Sequence, residues 1–201
     1  MYGGRGAIDA SIPSLTAVVI SMAGMMSTTM TLAAYREKGI LRRLQTTPIH
    51  PLVVLGAQVI VVFVMTFLGT LLLVAAGMLI YDARFDGNVL SVLGGFVLSS
   101  LSFFGIGFLL AGSLPTVRSA WTVSMVLLYP MLLLSGAFFS LDILPAFVQR
   151  VSAFIPLTYV VDLLNGLWVG ESWSSHLLDV GVLVVMLAAG VLISVKLFRW
   201  E

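Results

Sequence analysis

Residues 51–81 read PLVVLGAQVIVVFVMTFLGTLLLVAAGMLIY and contain no aspartate, glutamate, lysine or arginine. This run continues a charge-free stretch that starts at residue 44, and a membrane-spanning helix needs only about 20 mostly apolar residues. Further charge-free stretches cover residues 10–35, 87–117, 119–141 and 180–195. The last is short, but it can cross if Asp179 lies at one interface and Lys196 snorkels to the other.

The composition agrees with a membrane protein. Hydrophobic residues make up 60% of the 201 and charged residues only 9%, whereas soluble domains carry about 25% charged residues. The chain is therefore predicted to be an all-α integral membrane protein that forms a single domain over residues 1–201. About five transmembrane helices are expected, at residues 13–35, 52–80, 91–112, 119–140 and 177–198.

Residues 141–176 are apolar but cannot form one straight span. Pro145, Pro156 and Gly170 interrupt them, together with charged residues such as Asp142 and Arg150. Two short helices at the outer surface, dipping partway into the bilayer, fit this pattern if protein covers the non-helical backbone at depth.

The placement of the basic residues predicts an orientation. With the N-terminus outside, seven of the ten basic residues face the cytoplasm and seven acids face outward, as the positive-inside rule favours. The cytoplasmic seven are Arg36, Lys38, Arg42, Arg43, Arg118, Lys196 and Arg199. The C-terminus is then cytoplasmic, and residues 36–51 form the main cytoplasmic segment.

That segment, YREKGILRRLQTTPIHP over residues 35–51, has two interpretations. As a helix it would place Ile40, Leu41 and Leu44 on one face, typical of a basic helix on anionic headgroups. Glu37, however, would lie in the middle of that apolar face, where a carboxylate needs a donor. A helix docked on a cytoplasmic protein supplies one, and Glu37 near the helix start also gains from the helix dipole.

Other features narrow the function classes. There is no cysteine, no metal site is predicted, and no charge lies near the centre of a span, which argues against an ion-driven pump. No phosphate-binding loop is present, so an ATPase must be a separate chain. Pro130 is expected to kink the fourth span, as a hinge, a cavity lining or a purely structural bend. Small residues four apart indicate a packed bundle: Gly24 and Thr28, Thr66 and Thr70, Gly95 and Ser99, Gly107 and Ala111.

Two motifs resemble the permease subunit of type-2 ATP-binding cassette exporters. The run REKGILRRLQTTPI from Arg36 to Ile49 is similar to that family's coupling helix, with Glu37, Gly39, Arg43 and Leu44 as its core. The second motif resembles the re-entrant hairpin before the last span. It comprises Ser135, Gly136, Pro145, Pro156, Thr158, Tyr159 and Asp162.

The resemblance implies that residues 36–44 dock on an ATP-binding subunit, which binds the ATP and Mg²⁺, while this chain carries no cofactor. The docking residues would be Arg36, Glu37, Lys38, Gly39, Ile40, Leu41, Arg42, Arg43 and Leu44. It also implies a second permease copy, as a homodimer or heterodimer, in the inner membrane of a prokaryote. The family has six spans, so these five are expected to match the last five.

The function expected from the resemblance is outward movement of a hydrophobic or amphipathic substrate, such as a drug, lipid or glycolipid. Membrane lipid is an expected partner and nucleic acid is not. Two alternatives stay open: a non-transporting scaffold or regulatory subunit, and an intramembrane hydrolase. The hydrolase would use Ser135 as a nucleophile and His176 as its base, if both lie at similar depth.

Overall fold

The computed structural model describes residues 4–40, 51–139 and 141–197. The first span is α1 (Gly4–Ser21), a π-helical turn (Met22–Ser27) and α2 (Thr28–Glu37) in succession. It is followed by α3 (Pro51–Tyr81), α4 (Val89–Ser113), α5 (Val117–Leu134), α6 (Ala146–Ser152), α7 (Pro156–Trp168) and α8 (Leu177–Leu197). Short 3₁₀ turns cover Leu141–Ile143 and Trp173–His176.

In the part of the chain that the structure describes, five helices are long and apolar enough to cross a membrane, which confirms the predicted all-α membrane fold. Four of the predicted spans correspond closely to observed helices. The fourth, predicted over 119–140, is wrong at its end, because α5 stops at Leu134. Gly136 follows with φ +85°, a left-handed backbone conformation that a helix cannot continue through and that only glycine adopts at little cost.

The helix α4 lies at the centre of the bundle and carries small residues where other helices cross it. A Cβ atom added to Gly107 would lie 2.2 Å from the carbonyl oxygen of Gly24 in the first span. A Cβ atom added to Gly190 of α8 would lie 2.6 Å from the Cα atom of Gly105. These backbones can approach so closely because glycine has no side chain. Close helix packing is what the small residues four apart had indicated.

Hydroxyl groups join the same helices. Ser102 of α4 donates to the carbonyl oxygen of Leu183 in α8 at 2.8 Å, and Thr29 lies 3.1 Å from the carbonyl oxygen of Gly107. The π-helical turn precedes Thr29, and Gly24, which packs on α4, belongs to this turn. A π turn carries one extra residue in an otherwise regular helix and often marks functional positions.

The end of the bundle at the turn between α3 and α4 is closed by a helical hairpin, which we call the outer hairpin after the predicted orientation. The helices α6 and α7 are bent by 92° at the break between them, which confirms two short helices in the region 141–176. The buried face of α7, with Leu157, Val160, Leu163 and Leu164, belongs to the main hydrophobic core. Because the core anchors α7, polar side chains on this helix keep a fixed position relative to the bundle.

Candidate coupling site and outer hairpin

The C-terminal end of the first span contacts the end of α4 through Arg36. Its Nη1 atom donates to the carbonyl oxygens of Ala111 at 2.9 Å and Leu114 at 3.1 Å. A third carbonyl oxygen, that of Gly112, lies 3.5 Å away. The last carbonyls of a helix have no partner within the helix and carry the negative end of its dipole. The guanidinium therefore caps α4 with both hydrogen bonds and charge.

The next residue, Glu37, contacts the start of α5. Its Oε2 atom accepts a hydrogen bond from the backbone N–H of Val117 at 2.9 Å. Val117 is the first residue of α5, and Thr116 and Ser119 complete this helix start as a capping box. A carboxylate at a helix N-terminus is favoured by the helix dipole. Arg36 and Glu37 thus hold both ends of the turn between α4 and α5, and we call this pair the Arg36–Glu37 clamp.

A turn follows immediately after the clamp. The helix α2 ends at Glu37 with Lys38 as its C-cap, and Gly39 has φ +65°. An added Cβ atom at Gly39 would meet nothing within 4 Å, so the backbone conformation alone requires glycine. The Glu-x-Gly part of the coupling motif therefore has a structural explanation: the glutamate caps a neighbouring helix and the glycine turns the chain.

This geometry corrects part of the prediction for residues 36–44. Glu37 lies at the end of a helix and not near the start of one, so the helical wheel that put it between Ile40 and Leu41 is wrong. The wheel failed because Gly39 interrupts the helix, and the donor that Glu37 needs comes from α5. Residues 41–44, which include Leu41, Arg42, Arg43 and Leu44, lie outside the described residues.

Four residues of the second motif lie at helix ends or in turns, in and just before the outer hairpin: Ser135, Gly136, Pro145 and Pro156. Ser135 is fully buried, and its hydroxyl oxygen lies 3.4 Å from both the carbonyl oxygen of Leu132 and the backbone nitrogen of Ala137. Gly136 then turns the chain, Pro145 is the N-cap of α6, and Pro156 is the first residue of α7. Proline fits the first position of a helix because its missing N–H would have no partner there.

Two hydroxyl groups close the 92° break between α6 and α7. Thr158 donates to the carbonyl oxygen of Ser152 at 2.9 Å, and the phenol of Tyr159 donates to the carbonyl oxygen of Ala153. Both acceptors are at the end of α6, where carbonyls lack partners within the helix. These bonds satisfy the broken backbone, as a hairpin at the edge of a bilayer requires. Thr158 and Tyr159 therefore serve the hairpin's own structure.

A cluster of titratable side chains lies where the hairpin joins the last span. The Nδ1 atom of His176 is 2.8 Å from Asp179 Oδ2, and its Nε2 atom is 2.9 Å from Glu171 Oε2. Gly166 of α7 makes room for the ring, because an added Cβ atom would lie 1.9 Å from Nε2. Asp162, one turn earlier on α7, lies close enough to interact electrostatically with both His176 and Asp179. The predicted motif residue Asp162 is therefore part of this cluster.

The described contacts do not form the hydrolase pair. The Ser135 hydroxyl bonds within its own turn, and both ring nitrogens of His176 contact carboxylates. A general base must have a nitrogen within reach of the nucleophile's proton. These contacts therefore do not support the hydrolase alternative.

Pro130 lies within α5, which continues beyond it to Leu134. Its side chain is exposed on the outside of the bundle, so it does not line the interior between the described helices. A cavity-lining role is therefore not supported, and a hinge at Pro130 stays a prediction.

The sequence also gave no signal for the Arg36–Glu37 clamp, because its partners lie about 80 positions away along the chain.

Several known proteins are similar to this chain, including two that are named as probable transporter permeases. The chain is 26% identical over 162 residues to the probable multidrug ABC transporter permease YbhR of Escherichia coli strain K12, covering 80% of this chain and 44% of that protein. It is 27% identical over 164 residues to the probable multidrug ABC transporter permease YbhS of the same strain, with coverages of 78% and 42%. Over 102 residues it is 30% identical to nodulation protein J of Rhizobium leguminosarum bv. viciae, with coverages of 51% and 39%.

No solved structure matches the chain. The chain spans less than half the length of these three relatives. The family model for ABC-2 type transporters matches residues 2–168, which include the first four spans, the clamp and the outer hairpin. By this match, and with five helices able to cross a membrane, the chain is a multi-pass membrane protein that belongs to the ABC-2 type transporter family.

Proposed function

We propose that this chain is the membrane-spanning part of an exporter permease that a separate ATP-binding subunit drives. That subunit would bind the ATP and Mg²⁺ and would dock on the segment from Arg36 to Leu44. Family membership supports a transport role, and the relatives named as multidrug permeases support a hydrophobic or amphipathic cargo. The uncharged interiors of the spans agree with such a cargo, because a charged substrate would need compensating charge there.

The observation that carries the proposal is the Arg36–Glu37 clamp. Arg36 and Glu37 are the first two residues of the segment that would dock, so the clamp connects that segment to the bundle. Through Arg36 the clamp holds the end of α4, and through Glu37 it holds the start of α5. A movement of the docking segment would therefore be transmitted through the clamp to α2, α4 and α5 together.

The remaining parts of the proposal concern orientation and assembly. The basic segment and the clamp would face the cytoplasm and the hairpin would face outward, in agreement with the positive-inside rule. Two permease copies, by default identical, would enclose the path for the cargo with two ATP-binding subunits. A scaffold subunit would form the same assembly, but no cargo would move through it.

The Glu37→Ala variant tests the clamp in the full-length permease, reconstituted in liposomes with its ATP-binding subunit. The change removes the acceptor for the Val117 N–H and a favourable charge–dipole contact worth about 0.3–1 kcal/mol at such an exposed site. We expect cargo moved per ATP hydrolysed to fall about two- to fivefold, the factor to which this energy corresponds. The ATPase rate should persist, because the variant loses coupling and not nucleotide binding.

Two matched variants separate coupling from general damage. Glu37→Gln keeps an acceptor oxygen without the charge, so it should fall between the native protein and Glu37→Ala. Asp86→Ala removes an exposed acid from the turn between α3 and α4, far along the chain from the clamp, and should leave coupling unchanged. Unaltered coupling in Glu37→Ala would refute the role of the clamp. An assembly that binds the ATP-binding subunit but moves no cargo would favour the scaffold.

A further inference from the structure

A hollow of about 270 Å³ lies in the outer half of the bundle, between the first span, α3, α4 and α7. Almost all of its surface is carbon. Of the two threonines in its lining, Thr16 has its hydroxyl bonded to the carbonyl oxygen of Ile12 at 2.9 Å. The hydroxyl of Thr70 is the other, and it is buried without a hydrogen-bond partner among the described residues. The hollow thus offers a ligand a defined shape and contacts with hydrocarbon groups, but almost no polar groups to bind.

Aromatic rings close two sides of the hollow. Toward the outer surface, Phe85 and Trp168 meet edge to face with their ring centroids 4.9 Å apart. The Trp168 indole is fixed by its Nε1–H bond to the carbonyl oxygen of Arg84 at 3.0 Å. Toward the bilayer centre, Phe67 and Phe96 meet edge to face at 5.8 Å. These fixed rings give the hollow a defined length.

The open side of the hollow lies on the surface of the bundle, between α3 and α4. Leu71 and Met78 of α3 and Val89 and Leu93 of α4 belong to the lining, and all four are exposed on the surface of the bundle. The hollow therefore continues the surface that these two spans present to the bilayer. The groups at its mouth are the hydrocarbon tails of lipids, which are as apolar as the lining itself.

We propose that the hollow is a binding site for one acyl chain of an outer-leaflet phospholipid, held by this protein as a resident lipid. An unfilled hollow loses dispersion contacts along its whole lining, and a single flexible chain can enter from the side and regain them. Its volume lies just below the range of about 300–1,000 Å³ that is typical of sites for drug-sized molecules, which also favours a single chain. The site is separate from the transport path and does not depend on the proposed export function.

The Thr70 hydroxyl makes the choice of an acyl chain testable. The hydroxyl oxygen is buried and presents almost no surface to the hollow, so a ligand could use it only if the wall moved; a polar ligand that did so would bind less well without it. An acyl chain has nothing to offer the hydroxyl, so replacement by the isosteric valine leaves an equally shaped and fully apolar wall. The Thr70→Val variant should therefore bind an acyl chain at least as well as the native protein.

Photocrosslinking tests the site in the full-length permease, embedded in nanodiscs of phosphatidylcholine with a diazirine on one acyl chain. Peptide mapping by mass spectrometry then locates the adducts. We expect Phe67, Phe96 and Leu164 of the lining to carry about tenfold more adduct per residue than lipid-facing Val97, a preference of about 1.4 kcal/mol. A diazirine fatty acid in a second sample shows whether a free single chain competes with the phospholipid.

Three variants complete the test. Val74→Phe fills the hollow from α3 and should abolish the enrichment, whereas Val97→Phe adds the same ring to a lipid-facing position outside the lining and should not. Thr70→Val should retain the enrichment. Adducts spread evenly over lipid-facing residues, enrichment that survives Val74→Phe, or enrichment lost in Thr70→Val would each overturn the proposal. Enrichment lost in Thr70→Val would indicate a polar ligand. Displacement of the phospholipid by transport cargo would overturn the claim that the site is separate from the transport path.

Discussion

The crossing of α4 and α8 allows a sharp prediction, because two facing glycines there differ in the space around them. A Cβ atom at Gly190 would lie 2.6 Å from the Cα atom and 2.7 Å from the carbonyl carbon of Gly105. A Cβ atom at Gly105 would lie 3.4 Å from its nearest neighbour, the Cα atom of Gly190, which is ordinary contact. We predict that Gly190→Ala destabilises the protein and that Gly105→Ala does not.

The magnitude follows from the geometry. In Gly190→Ala the two backbones must separate by about 0.8 Å to reach ordinary contact, and a gap of that size loses about a quarter to a half of each dispersion contact it opens. Such overpacking costs about 1–3 kcal/mol. Alanine recovers up to about 1 kcal/mol of helix propensity at either position. With the full propensity gain subtracted, the net loss for Gly190→Ala is about 0–2 kcal/mol, centred at about 1 kcal/mol, and Gly105→Ala should be neutral or slightly stabilised.

Thermal unfolding of the purified variants in the same detergent measures this difference. A change of 1 kcal/mol shifts Tm by about 2–4 °C for a chain of this size. Gly190→Ala should therefore melt several degrees below the native protein, with Gly105→Ala at or above it. Equal losses in both variants, or a Gly190→Ala protein as stable as Gly105→Ala, would show that the crossing is not packed as described.

The junction with the hairpin and the turn after the clamp give two further predictions. Gly166→Ala should push the His176 ring away from Glu171 and lower Tm, whereas the same change made in a His176→Ala background should cost far less. Thermal unfolding of the four proteins measures this, and equal costs in both backgrounds would contradict it. Gly39→Ala should destabilise by about 1–2 kcal/mol because its φ is positive. Lys38→Ala, at the exposed C-cap beside it, is the control, and equal Tm values for the two variants would be contrary to this reasoning.

The membrane fold could be predicted from the sequence because it depends on composition and length. Long charge-free stretches must lie in the bilayer, and residues 51–81 alone require a span, which is α3. The hairpin was equally predictable, because Pro145 and Pro156 rule out one straight helix. Where a local signal was overlooked, the prediction failed: Gly136 ends α5 early, and Gly39 separates Glu37 from the segment that follows.

The local sequence pattern could not predict the hydrogen-bond partners of the polar residues. From the sequence alone Glu37 was predicted to need a donor, but the helical wheel behind that prediction is wrong: Glu37 is exposed at the end of α2 and accepts a hydrogen bond there. Only the tertiary structure decided that this donor is the N–H of Val117, because the fold of α4 brings two positions about 80 residues apart to the same membrane surface. The same holds for the apolar hollow. Each of its walls is an ordinary stretch of a span, and the space exists only because four helices diverge around it.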